Sequence, residues 1–86
     1  MVEGRVQGVG YRQFVFDAAT TLKLKGWVRN RRDGSVEVLA EGPSEVLGQL
    51  LTSLQRGPRM AYVTGVHPHW LAASGEFPDF QVRSTV

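Results

Sequence analysis

The stretch GRVQGVGYR, Gly4 to Arg12, joins a short alternating lead-in, Met1 to Val6, to a segment whose apolar residues return at helical spacing. It therefore reads as a strand-to-helix loop. Gly4, Gly8 and Gly10 let this backbone turn tightly and bring N–H groups close to a ligand where a Cβ would obstruct. Arg12 follows in the predicted first helical turn, where the macrodipole already makes the surroundings positive, so its guanidinium calls for an anion. A phosphate held by both the loop amides and the guanidinium satisfies that need. A glycine-rich turn before a helix is also common with no ligand, and a surface pair between Arg12 and Asp17 is the plain alternative.

What the loop lacks narrows the chemistry. There is no third glycine at the dinucleotide spacing and no Lys-Ser/Thr pair to finish a P-loop, so neither a Rossmann cofactor site nor an ATP site is supported. Between Gly4 and Arg12 stands no Ser, Thr, Cys, Asp, Glu, His or Lys, hence no covalent nucleophile and no ordinary acid or base. Attack falls to water. The leaving group must then depart without a proton from the loop, which suits the carboxylate of an acyl phosphate better than the alkoxide of a phosphate monoester.

Beyond the loop, Gln13 to Leu24 carries Phe14, Val15, Ala18, Ala19 and Leu22 on one stripe and is predicted as a helix facing a sheet. Lys23 and Lys25 suit its C-terminal end, and Gly26 provides the exit. Gly26 to Arg31 reads as a strand, Asp33-Gly34 as a hairpin turn and Ser35 to Glu41 as the returning strand. Gly42-Pro43-Ser44 opens a second helix with Val46, Leu47, Leu50, Leu51 and Leu54 inward, stopped by Gly57-Pro58. Met60 to Val66 and Phe80 to Arg83 are further strands, with Ala72 to Gly75 as loop. The order strand, helix, strand, strand, helix, strand predicts an α+β fold of ferredoxin-like, split βαβ type, a βαββαβ sandwich whose antiparallel sheet carries two helices on one face. In that topology the Gly4 to Arg12 loop and the end of the Gly26 to Arg31 strand lie side by side.

Asn30 stands just before the hairpin turn. Asparagine is common there because it tolerates turn geometry; a site that uses water and no charged base also needs a neutral amide to hold that water in line. Arg29, Arg31 and Arg32 read as a solvated face with a minor steering role. His67 and His69, flanking Pro68, have no neighbouring ligand set that would complete a metal site and read as surface residues, and Glu76 and Asp79 show no acid–base pairing.

Eighty-six residues, 42% hydrophobic and 21% charged, form one domain, residues 1–86, with a small core. No cysteine is present, which excludes disulfides and thiolate chemistry and agrees with a cytoplasmic location. No apolar run approaches the roughly 20 residues that span a bilayer, and no signal-peptide pattern is present, so no membrane partner is expected. A formal charge of +2 is too small to name nucleic acid as a partner and mildly favours anionic small molecules.

The runs VEGRVQGVGYR, Val2 to Arg12, and GWVRNRRDGSVEVLAEG, Gly26 to Gly42, resemble the two signatures of the acylphosphatase family and together cover about a third of the chain. The resemblance implies the ferredoxin-like fold with a further short C-terminal strand, and hydrolysis of an acyl phosphate to a carboxylate and inorganic phosphate with no metal or other cofactor. It matches Arg12 to the family's phosphate-binding arginine and Asn30 to its water-orienting asparagine. The amides of Gln7, Gly8, Val9, Gly10 and Tyr11 would then complete the phosphate site with Arg12. The expected partners are a small acyl phosphate and inorganic phosphate, and the expected state is a monomer. Against the family pattern the first strand reads as clipped at its N-terminus, with a loss of stability expected. Two other readings stand beside this one. The likeness extends to carbamoyl-phosphate-binding domains at the start of hydrogenase-maturation proteins; and a nucleic-acid module on this fold would need exposed aromatics among basic residues on the central strands.

Overall fold

The computed structural model describes residues 1–86. Its elements are β1 (Val2–Arg5), α1 (Tyr11–Thr21), β2 (Lys25–Asn30), β3 (Val36–Glu41), α2 (Ser44–Arg56), β4 (Tyr62–Val66) and β5 (Phe80–Arg83). The strands lie in the order β4-β1-β3-β2-β5. β3 therefore separates β1 from β2, the split βαβ arrangement expected. β1, β3, β2 and β4 are joined antiparallel, while β5 runs parallel to β2 from Gly26 opposite Phe80 to Arg29 opposite Arg83. The sheet is accordingly mixed, because residues 67–79 carry the chain across to the far edge before β5 begins.

β1 is short, four residues long. It pairs with β4 from Val2 opposite Val66 to Arg5 opposite Tyr62, but meets β3 only where Val2 faces Val36. From Glu37 to Glu41, β3 has its strand partner on the β2 side.

One core holds the layers together. Val2, Val6, Val28, Val36 and Phe80 from the sheet side meet Tyr11, Val15 and Ala19 of α1 and Leu50 and Leu54 of α2, with Leu24 closing one end. Alternation along β2 sends Val28 into this core and Trp27 to the opposite face. There Trp27 is only 7% exposed, because the guanidinium carbons of Arg29 and Arg83 lie 4.4 and 5.2 Å from its ring. A ring so covered offers no face to a base.

Several expectations from the sequence are corrected at element ends. α1 begins at Tyr11, two residues before the predicted Gln13, because Gly10 takes the N-cap in a left-handed conformation, φ 77° and ψ 18°. This turns Tyr11 inward, where its hydroxyl donates to the Leu54 carbonyl at 2.7 Å and ties the two helices together. α1 ends at Thr21, and the exit from it is made by Lys23, at φ 59°, rather than by Gly26. Gly26 lies within β2 at φ 139°, where a Cβ would strike the Leu39 carbonyl. Gly4 is likewise a strand residue and no part of the anion loop: it sits at φ 125° beside a register shift, against the Tyr62 carbonyl. No helix is long and apolar enough to cross a membrane.

Candidate active site

The loop between β1 and α1 is held from below by buried Val6 and Tyr11, with Val9 packed against the same core. Gly8 and Gly10 both adopt left-handed φ, 73° and 77°. Open space surrounds the point where either Cβ would stand, so the backbone conformation, not crowding, calls for glycine. The consequence for the amides is direct. No backbone N–H from Gln7 to Arg12 donates to a backbone carbonyl, and the first internal bond, Phe14 N–H to the Gly10 carbonyl at 3.0 Å, comes only after them. A run of free donors at a helix N-terminus is what a bound anion requires.

Arg12 and Asn30 open into one cleft of about 260 Å³, shared with Val6, Gly8, Gly10, Tyr11, Gln13 and Val82. Arg12 forms no salt bridge: its Nη1 reaches the Arg83 carbonyl at 3.5 Å, and Asp17 is instead bonded to Gln13. The surface-pair alternative for Arg12 is therefore not realised. Asn30 ends β2 with 9% of its surface exposed, and its side-chain oxygen is buried with no protein partner. Its backbone is pinned on both sides, opposite Val36 of β3 and by the Val86 N–H, which donates to its carbonyl at 3.1 Å. The strand end is thus fixed, and the side chain makes no hydrogen bond of its own within the protein.

The hairpin after Asn30 is fixed by its own bonds. Asp33 accepts from the Ser35 amide at 2.9 Å and from the Ser35 hydroxyl at 2.6 Å, and these bonds lower the Asp33 pKa. Arg29 and Arg31 both reach Glu37 Oε1, at 2.8 and 3.2 Å. Burial would raise the Glu37 pKa, but the two guanidiniums outweigh it and hold the carboxyl below its ordinary range. Arg29 and Arg31 are therefore a bonded cluster rather than the free solvated face expected. Burial raises the pKa of the Tyr11 phenol.

Of the residues expected at the site, Gly8, Gly10, Tyr11, Arg12 and Asn30 line the cleft, and Gln7 and Val9 do not. The Gln7 side chain turns away, its Nε2 donating to the Arg31 and Ser35 carbonyls at 2.6 and 2.8 Å. Val82 carries no mark of the cleft in the sequence, because its place there follows from the parallel addition of β5. A second cleft, about 370 Å³, lies at the other end of β2 between Lys23, Lys25 and Asp79; the loop amides do not reach it. His67 is a surface partner of Glu3 at 2.8 Å.

The acylphosphatase family model matches residues 1–82. An acylphosphatase of Koribacter versatilis is 48% identical over 85 residues, covering 99% of this chain and 77% of that protein. The crystal structure of acylphosphatase from Bacillus subtilis superposes with a TM-score of 0.92 at 40% identity, covering 95% of this chain and 91% of that one. Full-length HypF, solved in a phosphate- and nucleotide-bound form, matches with a TM-score of 0.88 at 27% identity, covering 98% of this chain but 11% of the HypF chain.

Proposed function

This chain belongs to the acylphosphatase family, and on that premise we propose that its β1–α1 cleft hydrolyses the carboxyl–phosphate bond of a small acyl phosphate. One observation carries the reading: an Arg12 without a carboxylate partner and a nearly buried Asn30 line the same cleft as Gly8, Gly10 and Tyr11, whose amides donate to no backbone carbonyl.

The phosphoryl oxygens are held by the loop amides and the Arg12 fork, donors already in place before charge redistributes in the transition state. Asn30 holds a water in line with the scissile P–O bond. The water oxygen bonds to phosphorus as the P–O bond to the acyl group breaks, the carboxylate leaves with the bonding pair, and the water's proton passes to a substrate oxygen. No protein base is needed. Val82 and Val6 supply an apolar wall beside these groups.

The test is release of inorganic phosphate from benzoyl phosphate, with p-nitrophenyl phosphate as the monoester control, each with and without a chelator. The expected result is turnover of the acyl phosphate alone, unchanged by chelator and inhibited competitively by phosphate. Phosphate binding without turnover would instead favour the carbamoyl-phosphate-binding alternative.

A further inference from the structure

Gln7 sits in the anion loop, yet its side chain is committed elsewhere. Both hydrogens of the one Nε2 group are used, toward the Arg31 carbonyl at 2.6 Å and the Ser35 carbonyl at 2.8 Å. Those carbonyls belong to the base of the β2–β3 hairpin, where the Arg31 amide also donates to the Ser35 carbonyl at 2.9 Å. Arg31 directly follows Asn30. One carboxamide therefore bridges the loop that would hold phosphate to the strand end that would hold water, across 24 and 28 residues of chain.

β1 and β3 do little to fix that distance by themselves, since the two strands meet only where Val2 faces Val36. β2, which bears Asn30, reaches β1 only through β3. The Gln7 bridge spans this thinly paired seam at the end where the cleft lies. Its chemistry is suited to the task. A neutral NH₂ gives two donors to two acceptors without placing a competing charge beside the phosphate, whereas a carboxylate has no donor and an ammonium would itself attract the anion.

We infer that Gln7 is a positioning residue that sets Asn30, and with it the attacking water, relative to the phosphate loop. The inference rests on the catalytic reading of Asn30 given above. It differs from a purely structural role in what it predicts. Misplacing the nucleophile by a fraction of an ångström lowers turnover steeply, while the phosphate remains bound by loop amides and Arg12 that Gln7's side chain does not touch.

The experiment is a double-mutant cycle between Gln7→Met, which keeps length and removes both donors, and Asn30→Ala, read as kcat, KM for benzoyl phosphate and Ki for inorganic phosphate. Gln7→Met is expected to lower kcat roughly tenfold or more, with Ki changed less than about twofold. In the Asn30→Ala background the same substitution should lower kcat by less than about twofold, because nothing then remains to be aimed. An equal fall in both backgrounds, or a matching loss of phosphate affinity, overturns the inference. Gln7→Asn, one methylene short of the bridge, serves if the methionine variant does not fold, with the same outcomes. Failure of the catalytic reading itself is seen separately, as full kcat in Asn30→Ala alone, and it removes the inference too.

Discussion

Removing one hydroxyl tests how the two helices are held under the site. In Tyr11→Phe the ring stays in the core, but the 2.7 Å bond from the hydroxyl to the Leu54 carbonyl is lost. That carbonyl lies in the last turn of α2, where a helix leaves its carbonyls without internal partners. The residue four positions on is Pro58, which has no N–H to give, and no backbone amide donates to Leu54 in its place. Leu54 is only 5% exposed, so water reaches this end of the helix poorly. The net loss of an ordinary hydrogen bond is about 1 kcal/mol, and an orphaned buried acceptor costs about 1–3 kcal/mol. Relief from burying the hydroxyl offsets part of this, leaving an expected destabilisation of about 1–2 kcal/mol. For a domain of this size that lowers Tm by roughly 4–16 °C. Urea unfolding should show a lower midpoint with an unchanged slope. A midpoint change worth less than about 0.3 kcal/mol would refute the claim that this bond caps α2.

Arg12→Lys replaces a fork by a point charge and should lower kcat/KM for benzoyl phosphate by roughly 10²-fold or more, while near-normal turnover would remove Arg12 from the mechanism. Asn30→Ala should lower kcat by about 10²-fold and leave the phosphate Ki within about twofold; equal losses in both would make Asn30 a phosphate ligand instead. Glu37 has a folded-state pKa below its ordinary 4.5, so the unfolded chain takes up its proton first as pH falls. Its contribution to stability is present above that value and is lost as pH drops through the lower folded pKa. Urea midpoints measured from pH 6 downward should therefore fall less steeply in Glu37→Gln than in the parent chain.

The order of elements was legible because each carries its own periodicity: Val15, Ala19 and the Leu50–Leu54 pair fix two helices, and the alternation through Val36 and Val38 fixes a strand. The ends were less so. Gly10 as a left-handed cap and Lys23 as the exit from α1 are backbone conformations that a residue's type only permits. Gly4 and Gly26 look like loop and turn glycines in sequence; their need arises from a neighbouring strand that the sequence does not locate. At the site, the sharing of one cleft by Arg12 and Asn30 was legible from the split βαβ order, which sets the β1–α1 loop beside the end of β2. The Gln7 bridge and the place of Val82 were not, since both depend on contacts between distant segments. Arg29 differs, because its partners Trp27 and Glu37 are local; it reads as a solvated cation only until the hairpin register sets Glu37 opposite it.

Hydrolysis in this cleft requires the loop from Gln7 to Arg12 to act as an anion socket facing Asn30. Titration of inorganic phosphate into the ¹⁵N-labelled protein tests it without reference to turnover. Saturable shifts are expected, concentrated on the backbone amides of Gln7 to Arg12 and on the Asn30 side-chain amide. Shifts confined to the cleft at Lys23 and Lys25, or spread evenly over the surface lysines and arginines, would contradict it.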